Sequence, residues 1–275
     1  MHDQIILIVG SGNMGSAITQ GLIDSEYPAS LILCDHDTSR HSSLKNRFQK
    51  AEVIQNIDQL EKNPTAVILA VKPQDLRPIC TQLAAKLTSQ TLLYLSVAAG
   101  VPCQTLMQWL GTNARLVRAM PNTPAAIGLG MTGLYTALAS DHEYRTIATN
   151  IMQAVGKTLW LDSEDKLDAL TALSGSGPAY VFYFMECLQQ AGISLGLSAE
   201  ESRTLVQQTL IGSAQLANQT TPFTELRHNV TSKGGTTERA LNALTEQDLE
   251  KIIILAVTYA RDRAREMSHS YQEEI

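Results

Sequence analysis

The chain has 275 residues, 44% hydrophobic and 17% charged, enough apolar content for one large or two ordinary domains and too much for disorder. Its 21 Lys and Arg against 27 Asp and Glu leave a net charge of −6, which excludes a general electrostatic pull toward nucleic acid or an anionic membrane. Apolar stretches such as 252–257 are far too short to span a bilayer, and Met1-His2-Asp3 lacks the basic opening of a signal peptide. Cys34, Cys80, Cys103 and Cys187 form no CxxC pair, so they read as small buried hydrophobes in a reducing compartment. The expected setting is the cytoplasm, and no metal spacing occurs among the histidines.

In chain order, short β-branched or apolar runs at 4–9, 30–34, 66–71, 91–97 and 115–119 predict strands. Helical spacing falls between them at 14–23, 42–50, 74–87 and 104–110. That alternation predicts an α/β fold, a Rossmann-type doubly wound parallel sheet with helices on both faces. Two further strand-like runs, 131–137 and 157–162, flank a helical stretch at 141–155. Beyond about residue 163 the pattern is helical only, at 166–173, 179–195, 199–218, 238–244 and 246–267. Ser198 with Glu201 three residues on forms a capping box for the third of these. The reading therefore divides the chain into a dinucleotide-binding domain, 1–162, and a helical domain, 163–275. In the last helix, residues 252–257 are apolar on every side of the cylinder. A half-chain of roughly 110 residues is too small to enclose such a helix, which implies a partner subunit, most simply a second copy.

Two constellations carry chemistry. The first is Gly10-Ser11-Gly12-Asn13-Met14-Gly15, between an expected strand and an expected helix. In that context Gly10 permits the turn, Gly12 admits a pyrophosphate to the backbone, and Gly15 lets helix and strand pack closely. The helix N-terminus then holds the phosphates. Asp35, at the end of the second strand, stands where an acid would bind ribose hydroxyls and repel a 2′-phosphate, with Arg40 and His36 near enough to offset the repulsion. The alternative is that Asp35 or Asp37 caps the following helix. The second constellation is Asn229-Val230-Thr231-Ser232-Lys233-Gly234-Gly235-Thr236-Thr237, ahead of the helix at 238–244. Its glycines and hydroxyls at a helix start make a donor pocket suited to a small carboxylate, or an ordinary glycine turn with a threonine cap. It is not a Walker A loop, since Lys233 precedes the glycines. Ser174-Gly175-Ser176-Gly177-Pro178 fails as a hydrolase elbow and reads as the start of a helix with proline in its first turn. Trp109, Trp160 and the run 180–184 read as core aromatics rather than base-stacking platforms.

Taken in order, GSGNMG (10–15), AVKP (70–73), SVAAG (96–100), RAMPNTP (118–124), LSGSGPAY (173–180) and VTSKGGTT (230–237) resemble the pyrroline-5-carboxylate reductase family over essentially the whole chain. The resemblance implies NADPH- or NADH-dependent reduction of 1-pyrroline-5-carboxylate to L-proline by a Rossmann domain joined to a helical dimerisation domain. It implies that one subunit's Rossmann domain meets the other's helices at the cleft, so that the protein is at least a dimer. Asn56, Val71, Lys72 and Ala98 are then further cofactor contacts, and the Met120-Pro121-Asn122 turn lies by the nicotinamide. Asn229, Ser232, Gly235, Thr236 and Thr237 become the substrate residues, with Thr237 on the ring nitrogen. The chain departs from the family at Lys233, usually Pro, and at Asp35, often a small hydroxyl residue, which loosens the usual NADPH preference. A cyclic imine arrives protonated and leaves as an amine, so the site needs no strong general acid of the kind a ketone reductase displays. Two other readings compete. A β-hydroxyacid dehydrogenase would need a lysine on the helix after Gly177, and none occurs through Gly196. A non-catalytic Rossmann nucleotide sensor would bind nucleotide without turnover.

Overall fold

The computed structural model describes residues 4–87, 92–137, 142–217 and 220–273. Met1-His2-Asp3, the first residue of the expected runs 91–97 and 141–155, and the last residue of the expected helix 199–218 lie outside the described residues.

Among the described residues eight strands form one sheet: β1 (Gln4–Val9), β2 (Ala29–Cys34), β3 (Ala51–Ile54), β4 (Ala66–Leu69), β5 (Leu93–Ser96), β6 (Arg115–Met120), β7 (Gly130–Tyr135) and β8 (Gly156–Trp160). Their spatial order is 3-2-1-4-5-6-7-8. β1 to β6 are mutually parallel, with the chain reversing direction across the sheet between β1 and β4. β7 runs antiparallel to β6, where the sequence reading has only parallel strands. The reason is the connection: residues 121–129 cannot carry the dozen or more residues that a parallel crossover requires. β8 returns parallel to β7 because the helix α5 (His142–Gln153) intervenes.

Alternation along β1 shows why the sheet is covered twice. Ile5, Leu7 and Val9 enter one core with Leu76, Cys80 and Leu83 of α3 (Leu76–Lys86) and Cys103, Leu106 and Leu110 of α4 (Cys103–Leu110). Ile6 and Ile8 enter the other core with Ala17, Ile18 and Leu22 of α1 (Asn13–Asp24), Leu44 of α2 (His41–Arg47) and Ala148, Ile151 and Met152 of α5. Each buried aliphatic side chain contributes about 1.5–3 kcal/mol, so the two cores fix the strand ends firmly. Cys34, Cys80 and Cys103 are buried, as expected, whereas Cys187 is exposed.

The described residues of Met1–Ser176 and Ala260–Ile275 make one compact unit, and Gly177–Tyr259 make a second. The first unit includes α6 (Asp165–Leu170), a π turn at Thr171–Gly175, and the C-terminal part of α11 (Leu249–Glu273). That last segment packs Tyr271 on the α3/α4 core and sets Met267 against Gly100. The second unit holds α7 (Gly177–Ser194), α8 (Ala199–Leu216), α9 (Phe223–Asn229), α10 (Thr236–Glu246) and the start of α11. The Ser198 box caps α8 as expected, with Glu201 N–H donating to Ser198 Oγ at 3.2 Å and Ser198 N–H to Glu201 Oε2 at 2.8 Å. The aromatics Tyr180, Phe182, Tyr183 and Phe184 are exposed rather than in a core, as are Ile252, Ile253, Ile254 and Leu255. No helix among the described residues is long and apolar enough to cross a membrane.

Candidate functional site

The Gly10–Gly15 turn joins β1 to α1 at the carboxyl ends of the parallel strands, beside the point where the strand order reverses. Gly10 has φ +100°, a conformation that side chains disfavour, and a Cβ there would sit 2.6 Å from the Ala70 carbonyl oxygen. A Cβ on Gly15 would strike the Gly10 carbonyl oxygen and lie 3.2 Å from Ala70 Cβ. Gly12, by contrast, has nothing within 4 Å of such an atom. It occupies the N-cap of α1 with no side-chain cap and no acidic residue in the first turn. The first N–H groups of α1, on Asn13 and Met14, are therefore open, and the space over Gly12 fits a pyrophosphate. Ser11 is buried beneath the turn.

Asp35 follows β2 directly and is buried. Its carboxylate accepts from Ser11 N–H at 3.1 Å, from Ser11 Oγ, and from Asp37 N–H at 2.9 Å. Arg40 Nη1 approaches it at 3.4 Å while Nη2 donates to the Ser11 carbonyl at 2.7 Å. Burial pushes the Asp35 carboxyl up, but the Ser11 hydroxyl, the two backbone donors and the Arg40 charge together hold it below its ordinary value. Asp35 is thus an ionised brace between the second strand and the glycine turn, with a guanidinium 43% exposed alongside it. Capping falls to Asp37, whose side chain accepts from Ser39 N–H at 3.1 Å. His41, which no motif in the sequence singles out, places its Nε2 2.7 Å from the Asp35 carbonyl oxygen.

The remaining expected cofactor residues follow successive strand ends. Asn56 comes after β3 and is exposed, its side chain accepting from Gln59 N–H at 3.3 Å in a capping box that the N-x-x-Q spacing announces. Val71, Cγ1 of which would lie 2.8 Å from a Cβ on Gly10, and exposed Lys72 follow β4. Ala98 follows β5 and is buried. Pro121 and Asn122 follow β6, Pro121 buried. Asn122 accepts from Met131 N–H at 2.9 Å and donates from Nδ2 to Ser174. The glycine turn, Asp35, Asn56, Val71, Lys72, Ala98, Pro121 and Asn122 therefore line one edge of a single sheet.

The second constellation lies in the other unit. Asn229 is the last residue of α9, a helix the sequence reading did not foresee, and Gly235 is the N-cap of α10. Gly234 takes φ +73°, and its N–H donates to Glu238 Oε2 at 2.7 Å. A Cβ on Gly235 would strike Ser232 Oγ, so only glycine lets that hydroxyl fold over the helix start. Among the described residues the hydroxyls of Ser232, Thr236 and Thr237 and the amide of Asn229 have no hydrogen-bond partner within the chain. Lys233 is exposed. The free hydroxyls thus stand at the start of an 11-residue helix, the kind of place where backbone N–H groups and hydroxyls can hold a small anion.

A family model described as pyrroline-5-carboxylate reductase dimerisation matches residues 164–267, and one described as coenzyme F420-dependent NADP oxidoreductase matches residues 5–100. The chain is similar to a pyrroline-5-carboxylate reductase of Vibrio alginolyticus, 39% identical over 97% of this chain and 98% of that one. It is similar to the solved pyrroline-5-carboxylate reductase of Coxiella burnetii, with TM-score 0.90, 38% identity and coverage of 96% and 98%. It also resembles the Plasmodium falciparum pyrroline carboxylate reductase solved with NADP bound, with TM-score 0.84, 26% identity and coverage of 98% and 99%.

Proposed function

The chain belongs to the pyrroline-5-carboxylate reductase family, and on that premise we propose that it reduces 1-pyrroline-5-carboxylate to L-proline as a cytoplasmic enzyme, the last step of proline biosynthesis. The observation that carries the reading is the helix start at 232–237, where, among the described residues, the hydroxyls of Ser232, Thr236 and Thr237 have no hydrogen-bond partner within the chain. When bound, a reduced nicotinamide supplies hydride to the C=N carbon. The chain contributes orientation. Gly10–Gly15 and the open end of α1 hold the pyrophosphate; Asp35, Asn56, Val71, Lys72, Ala98, Pro121 and Asn122 define the rest of the cofactor bed. The α10 N–H groups with Ser232 and Thr236 hold the substrate carboxylate, Asn229 and Gly235 shape that seat, and Thr237 hydrogen-bonds the ring nitrogen. Orientation of this kind lowers a barrier by about 7–11 kcal/mol, so a hydroxyl-only site suffices.

Residues 1–162 serve as the cofactor domain and 163–275 as the substrate and partner domain, with one subunit's loop serving its partner's cofactor bed. The exposed apolar side chains of α7 and α11 supply the surface for that second copy. Asp35 makes NADH usable at least comparably to NADPH. The test is steady-state reduction of 1-pyrroline-5-carboxylate with each nicotinamide. Nucleotide binding without turnover would favour a non-catalytic sensor instead.

A further inference from the structure

We propose that Ser174 is a positioning residue for hydride transfer, acting through Asn122 on the turn 120–122; this rests on the reading above that the turn lies beside the nicotinamide. Asn122 stands at the N-cap of the short 3-10 turn Thr123–Ile127 with extended backbone, yet makes no side-chain cap bond. An asparagine there ordinarily turns its oxygen onto the N–H groups ahead of it. Here the amide points elsewhere at both ends. Its Oδ1 accepts from Met131 N–H of β7 at 2.9 Å, and its Nδ2 donates to the Ser174 carbonyl at 3.1 Å and to Ser174 Oγ at 3.2 Å. One side chain thus staples the turn to the sheet on one side and to the π turn on the other.

The sequence around Ser174 explains why that acceptor exists. In a continuing α-helix the Ser174 carbonyl would pair with the N–H of residue 178, but residue 178 is proline and has none. The chain widens instead, with Ser176 N–H reaching back to the Thr171 carbonyl at 2.8 Å, a π spacing of the kind that recurs at functional sites. The orphaned carbonyl and the hydroxyl of the same residue then face Asn122 together. Gly175 adds to the contact: a Cβ there would lie 3.0 Å from Met120 Cε, so the π turn sits directly against the first residue of the 120–122 turn. The amide of Asn122 is therefore engaged by the scaffold, and the cofactor side of the turn presents backbone, Met120 and Pro121. Loosening the staple moves the nicotinamide seat.

Hydride transfer is steep in distance and angle. Ser174→Ala, which deletes one of two acceptors, is expected to lower kcat about three- to tenfold. Cofactor Kd should stay within about twofold of wild type, and the primary isotope effect with 4-deuterated cofactor should rise as hydride transfer becomes limiting. Ser174→Thr, which keeps Oγ, should restore kcat. Adding Ser174→Ala to Asn122→Ala should cost nothing further, because both changes open the same staple. If Ser174→Ala does not fold, Asn122→Asp takes its place: it keeps the acceptor for Met131 N–H, leaves Ser174 without a donor, and should show the same kcat loss. Wild-type kcat and isotope effect in these variants, or additive losses in the double variant, would overturn the proposal while leaving the activity intact. A wild type without turnover on the imine would overturn both together.

Discussion

Gly12→Ala and Gly15→Ala make the same chemical change three residues apart and are expected to fail in opposite ways. At Gly12 the backbone already has φ −62°, and an added Cβ meets nothing within 4 Å. Folding should be unharmed or improved by about 0.4–1 kcal/mol, because alanine narrows the unfolded ensemble. The new methyl occupies the space over the open N–H groups of α1, so cofactor affinity should fall at least about tenfold, roughly 1.4 kcal/mol. At Gly15 the same atom strikes the Gly10 carbonyl oxygen and lies 3.2 Å from Ala70 Cβ. Helix and turn must separate, an overpacking cost of about 1–3 kcal/mol. Thermal unfolding paired with calorimetric titration of NADPH and NADH separates the two: Gly12→Ala keeps its Tm and loses cofactor, Gly15→Ala loses Tm. A Gly12→Ala protein that binds either nicotinamide as tightly as wild type would refute the pyrophosphate seat.

Thr237→Ala should lower the reduction rate about ten- to a hundredfold, the worth of one hydrogen bond to a charged group, at nearly unchanged cofactor Kd. Wild-type kinetics would remove its assigned role. Asp35→Ser should improve NADPH use relative to NADH, unless Arg40, 3.4 Å away, already cancels the carboxylate's charge; a wild type preferring NADPH by more than about tenfold would show that it does. Because the folded chain holds the Asp35 carboxyl below its ordinary 3.8, its stabilising contribution is fully present above that pH and is lost as pH falls through the lower folded value. Urea midpoints measured below pH 4 should therefore fall more steeply for wild type than for Asp35→Asn, and parallel curves would contradict the brace. Ile254→Asp, on the exposed apolar run of α11, should yield a monomer by light scattering with activity lost; a wild type that is itself a stable 30.0 kDa monomer at micromolar concentration would refute the partner surface.

Seven of the described strands were legible because each carries a run of branched or apolar residues, buried by the sheet in all of them but β8, whose Leu159 and Trp160 are not buried. β3 was not: Ala51–Ile54 is four residues long, contains Glu52, and sits at the sheet edge where only Ile54 is buried. α9 escaped because PheThrGluLeuArgHisAsn has too few apolar positions to repeat at 3.6 residues, and it buries none of them. The glycine turn announced itself through its spacing to a strand and a helix, and its three glycines then proved to differ in what surrounds them. Residues 174–178 are legible as a helix start with proline in its first turn, and the same proline carries a second signal. A proline four residues after a serine frees that serine's carbonyl, but only the fold could reveal that Asn122 takes it. The exposure of residues 180–184 was hidden for another reason: an apolar helix looks the same in sequence whether its cover comes from its own chain or from a second copy.

The central claim is tested most directly by following nicotinamide oxidation at steady state with purified protein and 1-pyrroline-5-carboxylate, NADPH and NADH assayed side by side, and by identifying the product. Stoichiometric L-proline, with NADH supporting a rate at least comparable to NADPH, is the expected result. Tight nucleotide binding with no proline formed from either cofactor would contradict it.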